Sequence, residues 1–127
     1  MISFDIGRCS VIVDKSKLDV SCYSPGAVST RVIAEFPVEI EPFVDPDEVK
    51  RTIEKYPKVL PKGHKTIAIT KLIVALLMKK GVVSAYQLMK GLKVKKHIKI
   101  GKTEYQREIS PGSLVKTVYS KYLKKLE

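Results

Sequence analysis

Residues 94–109 read VKKHIKIGKTEYQREI, and this stretch indicates a β-hairpin. Its apolar residues alternate with lysine and histidine, whereas the residues before it follow a helical period. Gly101-Lys102 suits a two-residue type II′ turn, because glycine tolerates the positive φ that the first position requires. A strand pair that follows helical segments excludes an all-helical fold and predicts the α+β class.

The register set by this turn determines which charged residues stand opposite each other on each face of the hairpin. On one face Lys95 and Lys99 each meet a glutamate, so they either pair across the strands or contact an anion. On the other face Lys96 meets Arg107 among apolar residues. Because like charges directly opposite each other are destabilising, this pair indicates an external anion. The alternative is that both side chains extend to water.

The N-terminal sixty residues also alternate as β-strands do. A hairpin about Lys15-Ser16 brings Cys9 opposite Cys22, a register compatible with two buried thiols or with a disulfide. A longer alternating strand is predicted over residues 32–40. Pro37 lacks an N–H group, and it would therefore put this strand at the edge of the sheet.

Capping signals and helical periodicity predict four helices. Asp45 caps the first, Glu48 closes its capping box, and residues 57–63 form a linker after it. Residues 66–80 form a nearly all-apolar core helix, and Ser84 opens a short helix with a second capping box. The last helix begins at Ser110-Pro111 and has an apolar stripe made of Leu114, Val115, Val118, Tyr119, Tyr122, Leu123 and Leu126.

These elements predict one compact domain over residues 1–127, with a small antiparallel sheet followed by a helical half that carries the hairpin. Tyr86, Tyr119 and Tyr122 are expected to pack in its interior, whereas Tyr105 is open to base stacking.

The net charge of +11 is concentrated in the second half of the chain. Residues 1–60 contain 8 Lys/Arg and 10 Asp/Glu, a net of −2, whereas residues 61–127 contain 16 and 3, a net of +13. Such a block repels itself unless an anion lies against it, and a nucleic-acid phosphate backbone is the commonest such partner. An anionic membrane or an acidic protein is the alternative.

Composition also bears on location and origin. The longest apolar run is too short to cross a bilayer, and residues 1–7 lack the pattern of a signal peptide. We therefore expect a cytoplasmic protein. The absence of Asn is typical of hyperthermophile proteins, but their lysine enrichment usually brings matching glutamate, which residues 61–127 lack.

One motif argues for an enzyme. Phe4-Asp5-Ile6-Gly7 resembles the first strand of RNase H-like nucleases such as Holliday-junction resolvases, which need several carboxylates around two metal ions. No second motif joins it, and His64 and His97 have no partner at metal-ligand spacing. We therefore expect no catalytic activity, no metal and no cofactor. The remaining candidates for such a site are Asp19, Glu35, Asp45 and Asp47.

Residues 76–88 read LLMKKGVVSAYQL, and together with Ser110-Pro111-Gly112 they resemble the helix, glycine turn and helix openings of winged-helix regulators of the PadR type. The resemblance covers residues 66–127, and the hairpin would take the place of the family's wing. It implies that the last helix enters the major groove of DNA through Ser113, Lys116, Thr117, Ser120 and Lys121.

The sequence therefore predicts a non-enzymatic nucleic-acid-binding protein, a regulator or an archaeal or viral accessory factor, with double-stranded DNA favoured over RNA. The alternative is an RNA- or single-strand-binding module, or a basic subunit of a nucleoprotein complex. A homodimer is compatible with the sequence, and a membrane partner is not expected. The predicted contact residues are Lys96, Arg107, Lys99, Lys102, Ser113, Lys116, Thr117, Ser120, Lys121 and Lys124.

Overall fold

A six-stranded antiparallel sheet organises the computed structural model, which describes residues 1–24, 26, 28–56 and 65–126. Each strand pairs with the next one in sequence, so the order is β1-β2-β3-β4-β5-β6. The hairpin of the basic half therefore continues the sheet of the acidic half, and the fold is α+β as predicted. The strands are β1 (Ile2–Ile6), β2 (Cys9–Asp14), β3 (Lys17–Ser24), β4 (Val28–Glu35), β5 (Lys93–Ile100) and β6 (Thr103–Ile109).

Both predicted hairpin registers are confirmed. Cys9 pairs with Cys22 across β2 and β3, and the two residues form a disulfide. Lys96 pairs with Arg107 across β5 and β6. At the turn between those strands Gly101 has φ +58°, as a type II′ turn requires.

The prediction that Pro37 marks an edge strand is wrong. Strand β4 ends at Glu35 and lies between β3 and β5, so the edges of the sheet are β1 and β6. The buried Phe36 donates its N–H to the carbonyl oxygen of Ser16 at 2.8 Å, and Pro37 has no N–H to continue the ladder. The proline therefore ends the strand instead of shielding an edge.

Helix α1 (Pro46–Lys55) begins as predicted, with the side chain of Asp45 accepting a hydrogen bond from the N–H of Asp47 at 2.9 Å. Glu48, however, does not close a capping box. Its carboxylate lies 2.9 Å from the ammonium group of Lys80, which also donates to the carbonyl oxygen of Phe43. Glu48 thus connects α1 to the end of the next helix, because a charged partner competes with the backbone.

Helix α2 (Lys65–Lys79) is the centre of the core, and Gly81 follows it with the positive φ of a helix-terminating residue. It packs on β3 and β4 and on the last helix. Helix α3 (Ala85–Gly91) has the predicted capping box between Ser84 and Gln87. Its Tyr86 is exposed, so the expectation that this ring packs inside is wrong.

The last helix, α4, changes its hydrogen bonding along its length. It is α-helical over Pro111–Thr117, π-helical over Val118–Leu123 and α-helical again over Lys124–Leu126. Its buried side chains include Leu114, Val118, Tyr122 and Leu126, each four residues after the last. The wider turns of the π segment keep this row on one face. Tyr119, which was predicted to belong to the buried stripe, is half exposed.

The sheet therefore has an inner face, which the helices cover, and an outer face open to solvent. The inner face contributes the buried side chains of the strands, among them Val11, Leu18, Val32 and Val94. Within the described ranges, no helix combines the length and the apolar composition that a bilayer crossing demands. The predicted linker at residues 57–63 and His64 lie outside the described residues.

Candidate nucleic-acid interface

Cations from four elements meet on the inner face of the sheet. Lys96 of β5 and Arg107 of β6 pair across the hairpin on this face. Lys71 of α2 lies close enough to Lys96 and to Lys121 of α4 for both charges to lower its pKa. We call Lys71, Lys96, Arg107 and Lys121 the inner cation cluster.

The surroundings of Lys71 lower the pKa of its ammonium group. Partial burial lowers the pKa of its ammonium group below the ordinary value of 10.5, and repulsion from Lys121 and Lys96 lowers the pKa further. Burial and the two neighbouring cations thus make the charged form of Lys71 less favourable than it is in water. The Coulomb attraction of a bound anion would offset this cost.

No acidic side chain among the described residues neutralises the cluster. The ion pairs among the described residues connect Met1 with Glu41, Arg31 with Asp19 and Lys80 with Glu48, and the His97 ring lies 3.9 Å from a Glu104 oxygen; none of these contacts includes a residue of the cluster. The cluster is therefore uncompensated, as the opposition of Lys96 and Arg107 in the sequence predicted.

The outer face of the same strands has a mixed charge. Lys95 stands opposite Glu108, and Lys99 stands opposite Glu104. No direct ion pair forms at either lysine within the described part of the chain, and Oε1 of Glu104 lies 3.9 Å from Nδ1 of His97. Acidic residues nevertheless offset the lysines of this face, so its attraction for an anion is weaker.

The predicted reading residues of α4 do not form one surface with the hairpin. Lys121 joins the inner cation cluster, whereas Lys116, Ser120 and Lys124 line a separate groove of about 750 Å³ around Tyr119 and Leu123. The hydroxyl of Thr117 donates to the carbonyl oxygen of Ser113 at 3.0 Å. The hydroxyl of Ser120 donates to the carbonyl oxygen of Thr117 at 3.4 Å, so both donors are occupied within the helix.

Next to the cluster, the inner face carries apolar side chains open to solvent. Ile98 pairs with Tyr105 one row closer to the hairpin turn than Lys96 and Arg107. Tyr105 is 56% exposed and Ile100 is 50% exposed, whereas Ile98 is half-buried. Adjacent same-face residues of a strand lie about 7 Å apart, so a row of cations adjoins a row of apolar groups.

Three of the carboxylates considered for a nuclease site have other partners. Asp5 accepts a hydrogen bond from the hydroxyl of Ser10 at 3.0 Å, Asp19 pairs with Arg31, and Asp45 caps α1. Over the described ranges, no group of three His, Cys, Asp or Glu side chains is close enough to hold a metal ion. The structure therefore gives the nuclease hypothesis no geometric support.

Lys71 is the cluster residue that the sequence interpretation missed. It interrupts an otherwise apolar run in the core helix, and this interruption was the available signal. A lone cation on such a helix either extends to solvent at the rim of the core or faces an anion. The repulsion that Lys71 experiences from Lys96 and Lys121 favours the second role.

Replacing Lys71 by methionine should make the folded protein more stable. The variant loses a partly buried charge and its repulsion from two lysines, so the free energy of unfolding should rise. Because the folded pKa lies below 10.5, the charge opposes folding at neutral pH, and this cost disappears as the pH rises from the folded pKa to 10.5. Urea unfolding of Lys71→Met beside Lys50→Met, an exposed lysine of α1, measures the change at equal net charge. A less stable Lys71→Met protein would mean that the charge is already neutralised within the chain.

Comparison with protein families, with curated proteins and with solved structures finds no match to this chain.

Proposed function

We propose that this protein binds nucleic acid, without enzymatic activity, by holding the phosphate backbone at the inner cation cluster. The observation that carries the proposal is the direct opposition of Lys96 and Arg107 across the hairpin, with Lys71 near enough to Lys96 and Lys121 for their charges to lower its pKa. None of the four has an acidic ion-pair partner among the described residues. A nucleic acid is the proposed ligand because its phosphates repeat along the chain and can meet several cations at once.

The geometry of the cluster suits phosphate. Arg107 offers a planar guanidinium group that can donate two hydrogen bonds to one phosphate, and the lysines act as point charges beside it. The net charge of +13 over residues 61–127 would attract the same ligand over a longer range. We place this activity in the cytoplasm, with DNA favoured over RNA, in line with the sequence-based expectation.

A duplex-DNA regulator of winged-helix type is the second candidate. It is favoured by the exposure of Ser113, Lys116, Ser120 and Lys124 on α4. In this arrangement α4 would read the major groove, and the hairpin would contact the backbone. The occupied hydroxyls of Thr117 and Ser120 weigh against direct base reading, because those groups could only accept hydrogen bonds from a base.

Salt dependence tests the proposal. A footprint of about five phosphates predicts that the logarithm of the association constant falls with the logarithm of salt concentration with a slope near −4.5 on duplex DNA, or about −3.5 on a single strand. Fluorescence anisotropy with labelled single-stranded DNA, duplex DNA and RNA over a range of salt concentrations gives this slope. A slope near zero with every ligand would contradict phosphate binding.

A further inference from the structure

We infer that the inner face of the hairpin binds a single strand, with a base stacked on Tyr105 and the adjoining phosphates on the inner cation cluster. This inference rests on the proposed function and names the form of nucleic acid that fits the site. It departs from the duplex preference predicted from the sequence.

The apolar row is the first argument. Tyr105 and Ile100 are both at least half exposed on the inner face, where the other strands bury their apolar side chains against helices. Bases of a duplex are stacked on each other and offer their edges, whereas bases of a single strand offer a free aromatic face. A solvent-open tyrosine beside cations therefore suits a single strand better than a duplex.

The position of the row relative to the charges is the second argument. Tyr105 and Arg107 are same-face neighbours on β6, and Ile98 and Lys96 stand directly opposite them on β5. Apolar and cationic pairs thus occupy successive rows of one surface, which matches a chain whose bases and phosphates alternate. Single-strand-binding surfaces combine these two elements, a basic track and aromatic side chains.

The open edge of the sheet is the third argument. Among the described strands β6 pairs only with β5, and all of its residues from Thr103 to Glu108 are exposed. A strand of nucleic acid can therefore approach the inner face from the side of β6.

Tyr105→Leu is the variant that tests stacking, because it removes the ring and keeps an apolar side chain. Its matched control is Tyr23→Leu, which removes a 66% exposed ring from the outer face of β3. The ligands are a labelled single-stranded DNA of about 20 nucleotides, the RNA of the same sequence and the duplex DNA. Thermal melts of both variants establish that they fold.

We expect wild-type protein to bind at least one single strand more tightly than the duplex. Tyr105→Leu should weaken single-strand binding about tenfold, whereas Tyr23→Leu should leave it unchanged. A stronger effect on the DNA or on the RNA identifies the source of the strand. Tighter duplex binding, or equal affinities for Tyr105→Leu and wild type, would overturn the inference.

Tyrosine fluorescence gives an independent readout, because the chain contains no Trp and six Tyr. Stacking should quench the emission of Tyr105, so single-stranded ligand should quench wild-type protein more than Tyr105→Leu. Equal quenching would count against the inference. If substitutions in the inner cation cluster weaken binding while Tyr105→Leu does not, the proposed function stands and only the single-strand inference fails. If the cluster substitutions also have no effect, the proposed function fails.

Discussion

Replacing Cys9 and Cys22 by alanine should lower the free energy of unfolding by about 3 kcal/mol, the value expected for a disulfide that closes a loop of this size. The two residues are 13 positions apart, and their disulfide joins β2 to β3. Without the disulfide the unfolded chain can adopt more conformations, so the loss of stability arises largely from the higher entropy of the unfolded state. Alanine keeps the two buried positions apolar, which limits the added cost of the smaller side chains.

Chemical denaturation with and without a reducing agent measures this effect. The reductant should destabilise wild-type protein by a similar amount and leave the double variant unchanged. The double variant is therefore the control for any other effect of the reductant. A wild-type protein that is equally stable in both conditions would mean that the disulfide contributes nothing to folding.

The hairpins were predictable because their register is local. Two-residue turns at Lys15-Ser16 and Gly101-Lys102 fix which residues pair, and so the disulfide partners and the opposition of Lys96 to Arg107 followed from the sequence. The pairing of β4 with β5 was not predictable in this way. Ala34 and Val94 are partners separated by sixty positions, and no turn chemistry connects them.

Helical periodicity did not fully predict which side chains of the helical half are buried. The predicted stripe on α4 assumed a regular α-helix, but the helix contains a π segment, and Tyr119 within that segment is half exposed. Lys71 illustrates a second limit. Its place in the inner cation cluster depends on how α2, α4 and β5 pack together, which the order of residues within α2 does not reveal.

Removing both Lys96 and Arg107 should weaken nucleic-acid binding without destabilising the protein. Each phosphate contact contributes a factor of roughly eight on duplex DNA, or roughly five on a single strand, at about 0.1 M salt. The double variant Lys96→Ala/Arg107→Ala should therefore bind duplex DNA roughly sixtyfold and a single strand roughly 25-fold more weakly. Its free energy of unfolding should stay level or rise by a few tenths of a kcal/mol, because two opposed cations no longer repel each other.

The matched control is Lys95→Ala/Lys99→Ala, which removes the same two charges from the opposite face of the same strand pair. These lysines stand opposite Glu108 and Glu104, so their loss leaves both glutamates without the cation on the neighbouring strand. We expect a small loss of stability and a smaller loss of affinity.

The salt dependence of binding, compared between these two double variants, tests the central claim most directly. Both have the same net charge, so any difference between them reports which face of the hairpin contacts phosphate. We predict that the slope for Lys96→Ala/Arg107→Ala is shallower than that of wild type by about 1.8 on duplex DNA or about 1.4 on a single strand. The slope for Lys95→Ala/Lys99→Ala should stay close to that of wild type. An equal or larger change in the Lys95→Ala/Lys99→Ala variant would contradict binding at the inner cation cluster.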